Sequence, residues 1–585
     1  MEIRKPVLVA CLIAASAASA QNPFPPYHVE RTKILLTGEP APGIPGCTVA
    51  SFLAPQIDGA GKVLIDGNIS GPGVTAANNS AVWYGDENGL ILVIREGDPA
   101  PGIPGAFVSE PWETYVSESG VLSLACYLTG ASIVEGVNAR GAFEGQLGAL
   151  QKIVQAGDPA PFTEPGTVFA SSFFWGVRLS DSGLILLIYD LSGPTIDSSN
   201  DRAMYVGYPD NPQLIWRRGM QAPGCEEGVV FAWADGVGFN DEEQVGFRGG
   251  LSGPGVTSAS NTGYWLGGAD DLGLVAREGE QAPDLPAGVL WAGANFPGIN
   301  VYGEIAFFSP LVGPGITPQN NHAIWSGIPG DLSLVVQRGQ SAPLMPDGIV
   351  LSLLSTSAIV PVNQRHELAF RANLSGPGIS NVNDSATYLY IQGAFQLLLQ
   401  EGAELAQFGD GVLLGQGASK IGFNDVGDLV TASELSGPNV SDSNNKVAWL
   451  WRRGGWCLPL FRTGDVVDGR VLVAQGLDDL SPAHDSTGGG DAILQFMNDE
   501  AHVAALMSFS DGSKAIYRLR GSANFDLDDD GLFGMPDYSA FAECMSGPEA
   551  EATGETCTLL DVDLDGDVDL RDFGTLQEVF SWMSP

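Results

Sequence analysis

A short turn signal recurs along the chain at a fixed period, and this constrains the fold more than any other feature. Gly97-Asp98-Pro99-Ala100-Pro101 is the full form. Gly38, Gly157, Gly219, Gly279 and Gly339 open further copies, and eroded ones start at Gly402 and Gly464. Successive leading glycines lie 59, 60, 62, 60, 60, 63 and 62 residues apart. Such a period marks a repeat protein, in which each unit buries its apolar face only against its neighbours. Pro presets φ and lacks an N–H, while Gly accepts positive φ. The signal therefore cannot lie inside a central strand and reads as a connector between sheets.

Each repeat holds the same parts in order. A short apolar stretch such as Val289-Leu290-Trp291 follows the connector. A turn then leads into a strand of period-two alternation, as in Leu368, Phe370, Ala372 and Leu374, which marks a strand with one face buried. That strand ends in Ser-Gly-Pro-Gly or a relative (Ser70 to Gly73, Ser252 to Gly255), read as a turn within the sheet. An aromatic strand such as Ala81-Val82-Trp83-Tyr84 and a last strand such as Leu90 to Arg95 complete the unit. The third inward place of the alternating strand is small in most copies (Gly67, Cys126, Gly249, Ser309, Ala372, Ser433), with Tyr189 the exception. Small residues there suggest close approach of neighbouring sheets near an axis.

Four short strands per unit predict β-propeller blades. The turn ahead of the alternating strand recurs around Gly61, Gly120, Gly183, Glu243, Gly303, His366, Gly427 and Ala501, giving eight blades. The last unit supplies Ala515 to Leu519 but no further connector, and the first connector has only Lys33 to Leu36 ahead of it. The N-terminal strand is thus expected to complete the eighth blade. The fold class is all-β, an eight-bladed propeller over residues 31–520 closed by an N-terminal strand, with a small helical module at 521–585.

Net charge is -42, from 27 Lys+Arg against 69 Asp+Glu. This repels nucleic acid and anionic lipid, so neither is an expected partner. Residues 1–20 read as a Sec-type signal peptide: basic Arg4 and Lys5, apolar Val7 to Ala15, then Ala18-Ser19-Ala20. A lipoprotein signal ending at Cys11 is the rival reading. A Pro-rich lead covers 21–30. No later run matches a membrane helix, so the expected location is secreted or cell-surface associated, without membrane insertion. Of seven cysteines, Cys544 and Cys557 could pair after export, and Cys126 reads as a buried, inert thiol.

Residues 521–585 hold 16 Asp+Glu and one basic residue, Arg571. Two stretches match calcium loops, which need oxygen donors at positions 1, 3, 5, 7, 9 and 12 and Gly at 6. The first offers Asp526, Asp528, Asp530, the Leu532 carbonyl and Asp537. The second offers Asp561, Asp563, Asp565, the Asp567 carbonyl, Asp569 and Asp572. Two Ca2+ ions are expected. Helical patterns follow at Tyr538 to Cys544 and Phe573 to Phe580.

Paired Asp-rich loops, each with Asp at position 12 and one following helix, resemble a type I dockerin over residues 522–582. The resemblance implies a calcium-dependent module that docks on a cohesin-like or cell-surface protein. The 60-residue units are similar to the propeller-like tandem repeats of secreted bacterial proteins.

The five histidines (His28, His322, His366, His484, His502) show no metal spacing, and no Gly-x-Ser-x-Gly elbow is present. No catalytic or organic-cofactor residue is assigned. His366 and His502 read as equivalent strand entries. Asp478 to Asp491 is the most irregular segment and reads as an insertion. The leading functional expectation is a secreted, non-catalytic binding or scaffold protein, its propeller face taking a glycan or a protein. The alternative is an extracellular carbohydrate-active enzyme, a glycoside hydrolase or lyase carrying a dockerin, since dockerins often travel with such enzymes.

Overall fold

The apolar alternation folds as four-stranded antiparallel blades, repeated in chain order. The computed structural model describes residues 27–180, 182–293, 295–355, 360–453, 457–473, 496–523, 526–527, 534–545, 557, 560 and 567–574. The expected insertion at Asp478 to Asp491 and the signal peptide lie outside them. Blade one runs through Thr48–Phe52 with Gln56–Ile57, then Val63–Ser70, Ser80–Asp86 and Gly89–Arg95. Blade four runs through Val230–Phe239, Val245–Ser252, Thr262–Gly267 and Gly273–Arg277. Val29–Arg453 and Pro459–Ser522 form one compact unit, and the residues from Ala523 onward belong to a second.

The eighth blade closes as the unpaired repeat requires. Tyr27–Leu36 pairs with Lys514–Ala523, which pairs with His502–Ser508. Ile34, Leu35 and Ile516 share one buried cluster with Ile57 and Trp83 of blade one, so the core is continuous across the joint. The closing strand starts at Tyr27 and so reaches back into the lead assigned from sequence.

Each connector binds its glycine turn to the incoming strand. Gly97 N–H donates to the Val108 carbonyl at 2.7 Å, and Asp98 Oδ2 accepts the Arg95 N–H at 2.7 Å. Asp158 and Asp465 repeat the second bond on Gln155 and Arg462. The Ala-Pro that follows serves the aromatic strand. Trp83 Nε1 donates to the Pro42 carbonyl, Trp265 to Pro223 and Trp325 to Pro283, at 2.9, 3.0 and 3.3 Å. In blade seven the second Pro of the connector is lost, and Trp449 donates to Ser433 Oγ instead, at 2.7 Å.

The small inward position has a different cause from the expected one. A Cβ on Gly249 would meet the Trp265 ring at 2.8 Å, and one on Gly67 would meet the Trp83 ring at 3.4 Å and the Ser51 carbonyl at 2.3 Å. These groups belong to the same blade. The small residue makes room for that blade's own indole, not for a neighbouring sheet.

Eight turns between first and second strands form a ring on one face. Each turn opens on a buried polar residue: Asp58, Ser117, Ser180, Asn240, Asn300, Asn363, Asn424 and Asn498. Its side-chain oxygen accepts the N–H four residues on, as Asn300 does from Glu304 at 3.0 Å. In the asparagine blades the amide also donates to the next turn's carbonyl: Asn240 to Asn300, Asn300 to Asn363, Asn363 to Asn424, Asn424 to Asn498 and Asn498 to Asp58. Asp and Ser lack that donor. Blades one to three therefore use other links, such as Gln56 Nε2 to the Thr114 carbonyl at 2.6 Å and Arg178 to the Val237 carbonyl at 3.1 Å.

Candidate functional site

The two faces of the propeller divide structure from variation. One face carries the connectors and the loops between second and third strands. One polar pattern there repeats: Arg95 donates to the Asn78 carbonyl, Arg217 to Asn200, Arg277 to Ser260 and Arg462 to Asn444. The other face carries the ring turns and the hairpins between third and fourth strands. Several of its side chains are unrepeated. The residue after each ring cap is Gly59, Glu118, Asp181, Asp241, Val301, Gln364, Asp425 and Asp499 in turn, with Asp181 outside the described residues.

Two features stand out on this varied face. At the seventh turn the Asp425 carboxyl is raised to about 7, chiefly by burial and by the charge of Asp499, with a lesser push from Asp241 and an opposing hydrogen bond from Gln364. The Asp425 N–H donates to Asp499 Oδ1 at 3.0 Å. Between blades four and five lies a pocket of about 380 Å3 lined by Glu242, Gln244, Gly268, Asp271, Val301 and Tyr302. Tyr302 is 62% exposed, and its ring stacks on His366 at 5.2 Å between centroids. His366 Nδ1 in turn lies 2.6 Å from Glu304 Oε2, which fixes the stack across the blade five–six joint.

His366 occupies the turn position that is Gly in most blades, with φ +62°, as do Glu243 at +60° and Ala501 at +57°. His502 is the following residue, the first of its strand, so the two histidines are not equivalent. Cys126 is buried, and burial with the Asp66 charge pushes its thiol up, as an inert core cysteine requires. Burial also raises the Asp66 carboxyl to about 6, against a hydrogen bond from Thr114.

In the C-terminal unit the described part of the second loop brings three carboxylates together. One oxygen from each of Asp567, Asp569 and Asp572 lies within 4.8 Å of the others. Asp572 is 1% exposed and its Oδ2 accepts the Asp569 N–H at 2.8 Å. Asp567 contributes a carboxylate to this group, where the loop pattern assigned it a carbonyl. At the matching position of the first loop, Asp537 is 1% exposed and accepts N–H groups from Leu527 at 2.7 Å and Gly534 at 2.6 Å. Asp526 is buried as well. Asp528, Asp530, Leu532, Asp561, Asp563 and Asp565 lie outside the described residues. An all-oxygen, all-carboxylate donor set suits a hard divalent cation such as Ca2+ and disfavours soft-ligand metals.

The loops are anchored by apolar contacts. A helix spans Met535–Cys544, starting earlier than the sequence pattern suggests because Pro536 suits a first turn. Phe541 and Tyr538 pack on Phe573 at 5.9 and 6.2 Å between ring centroids. Val568 and Leu560 are fully buried. A disulfide joins Cys544 to Cys557.

The sequence profile described as "Family of unknown function (DUF7453)" matches residues 27–159 and 107–518, and the chain belongs to that family. No curated protein matches it. Among solved structures, it is similar to the β-propeller domain of the Trilobed protease from Pyrococcus furiosus. Identity is 7%, with 71% of this chain and 99% of that one covered and a TM-score of 0.33. An oligogalacturonate lyase in complex with manganese matches at 12% identity over 70% of this chain and 93% of that one, with a TM-score of 0.31. The polysaccharide lyase Uly1 matches at 11% over 75% of this chain and all of that one (100%), with a TM-score of 0.33.

Proposed function

We propose that this family member is a secreted, non-catalytic binding or scaffold protein. Its propeller takes ligand on the face that carries the ring turns, and its C-terminal unit is a dockerin-like, calcium-dependent docking module. One observation carries the first half: an arginine-to-backbone bond repeats on the connector face, whereas the ring-turn face carries unrepeated side chains, among them the exposed Tyr302 and the His366 it stacks on. Selection for a ligand leaves unrepeated residues on one rigid face, and selection for folding alone leaves repeated ones.

The docking half rests on the Asp567, Asp569 and Asp572 carboxylates converging beside the buried Asp572. Asp526, Asp537 and the remaining loop residues would hold a second ion. Calcium, when bound, would neutralise carboxylates whose mutual repulsion opposes folding of the loops. The partner is a cohesin-like or other cell-surface protein. Titration calorimetry of the mature chain with calcium tests this half. Absence of heat, or heat unchanged by Asp526→Ala combined with Asp561→Ala, rejects it. A glycan and protein array probed with the mature chain tests the first half.

A second reading is favoured by Asp425. A carboxyl raised to about 7 beside the Asp499 carboxyl is the arrangement a general acid needs. On that reading the protein is an extracellular polysaccharide hydrolase or lyase. Release of new chain ends from any polysaccharide, abolished by Asp425→Asn, would establish it over the binding role.

A further inference from the structure

We infer that the pocket between blades four and five binds one neutral hexopyranose unit of a polysaccharide. Tyr302 is the stacking platform, and Glu242, Asp271 and Gln244 are the hydroxyl partners. The inference rests on the binding reading above and assigns it a place and a ligand class.

The pocket has the two kinds of surface that a pyranose presents. One face of a pyranose ring is lined by C–H groups and its rim by hydroxyls. Tyr302 offers an apolar ring to the first, exposed by 62% and held by the stack on His366. The rim meets polar atoms with capacity to spare. Asp271 uses Oδ1 for the Gly268 N–H at 2.6 Å, which leaves Oδ2 to accept a hydroxyl. Gln244 uses Oε1 for Asn240 Nδ2 at 3.0 Å, which leaves Nε2 to donate. Glu242 is exposed at the rim. At about 380 Å3 the space lies within the range of small-molecule sites.

Charge and geometry narrow the class. Two carboxylates line the pocket of a chain with net charge -42, so an acidic sugar would be repelled. An organic cation is best held by a cage of several rings, and among the described residues Tyr302 is the one aromatic lining this pocket. A neutral sugar uses both the ring and the carboxylates without either conflict.

Blade five alone has an aromatic at this turn position; the others hold Ala60, Ser119, Ser182, Glu242, Arg365, Val426 and Glu500. The platform is therefore no by-product of the repeat.

The test is affinity electrophoresis of the mature chain in native gels containing xyloglucan, galactomannan, hydroxyethyl cellulose, starch or polygalacturonate. At least one neutral polymer should retard the protein. Tyr302→Ala should weaken that retardation by about tenfold, Tyr302→Phe should keep it, and both should unfold cooperatively, Tyr302→Phe at the wild-type temperature. Retardation by none of the neutral polymers, or by polygalacturonate alone, overturns the inference. Undiminished retardation of Tyr302→Ala also overturns it but leaves the binding reading in place, since the polymer is then held elsewhere. Release of reducing ends from a retarding polymer removes the non-catalytic reading instead and leaves the Tyr302 result to decide the pocket.

Discussion

Asn498 Nδ2 donates to the backbone carbonyl of Asp58 at 3.0 Å, across 440 residues of sequence. The same side chain accepts the His502 N–H at 2.9 Å. A single carboxamide thus caps its own turn and clasps the first blade to the last. Only Asn has both groups at this reach, because Asp and Ser accept at the cap but cannot donate an amide onward.

Replacing that donor isolates the clasp from the cap. Asn498→Asp keeps the acceptor for His502 but removes one of the two hydrogen bonds to the Asp58 carbonyl, which keeps only the Gly61 N–H, and sets a buried carboxylate against it. We expect a loss of about 1–3 kcal/mol, read as a lower urea midpoint, and a larger loss for Asn498→Ala. Asn300→Asp at an internal joint should cost a similar amount. An unchanged midpoint for Asn498→Asp would mean that pairing of Tyr27–Leu36 alone closes the ring.

The pH response follows from Asp425. Its carboxyl moves from an ordinary 3.8 to about 7 in the folded protein. The folded state therefore holds the proton more tightly than the unfolded state. The stability this gives is complete below pH ~3.8 and is lost as pH rises through about 7. Asp425→Asn mimics the protonated form. The variant should nearly match wild type at pH 4 and exceed it by up to about 4 kcal/mol at pH 8. Equal stability of the two proteins at pH 8 would refute the shift.

Calcium should act on the C-terminal unit in proportion to its carboxylates. We expect two ions per mature chain by calorimetry and one after Asp572→Ala, since that residue joins Asp567 and Asp569 in one cluster. Chelation should make the segment after Ala523 more sensitive to protease than the propeller, because metal binding is folding energy for such loops. A stoichiometry of two in Asp572→Ala would place the ions elsewhere.

How much of this could be read from the sequence depends on which atoms carry the pattern. The connector glycines were legible because backbone conformation restricts the residue type, and eight copies made the blade count certain to follow. The ring asparagines were not. Asn240, Asn300 and Asn363 look like ordinary turn residues, and their second bond goes to a carbonyl some 60 residues away. Their regular place three residues ahead of the positive-φ turn position, held by Glu243, Gly303 and His366, was the available signal. The small position at Gly249 was legible as a packing constraint, but the ring that fills it, Trp265, comes from the adjacent strand of the same blade. Tyr302 carries no sequence signal because a lone exposed aromatic has no period, and its meaning comes only from the neighbours that the fold gathers around it.

The turn glycines set up a contrast between strain and contact. Gly61, Gly120, Gly183, Gly303 and Gly427 sit at φ of +70° to +98°, and Glu243, His366 and Ala501 hold the same turn position at +57° to +62°. A side chain in this region costs on the order of 1 kcal/mol relative to Gly. Glu243→Gly and Ala501→Gly should relieve that cost. The relief is offset in part by a freer unfolded chain, so the net gain is a few tenths to about 1 kcal/mol. His366→Gly should behave oppositely. It relieves the same strain but removes the 2.6 Å contact with Glu304 and the stack on Tyr302. If the side chain is retained for that stack, His366→Gly is neutral or destabilising while Glu243→Gly is not, as denaturant midpoints would report. An equal gain at both sites would reduce His366 to a drifted repeat residue and leave Tyr302 without its support.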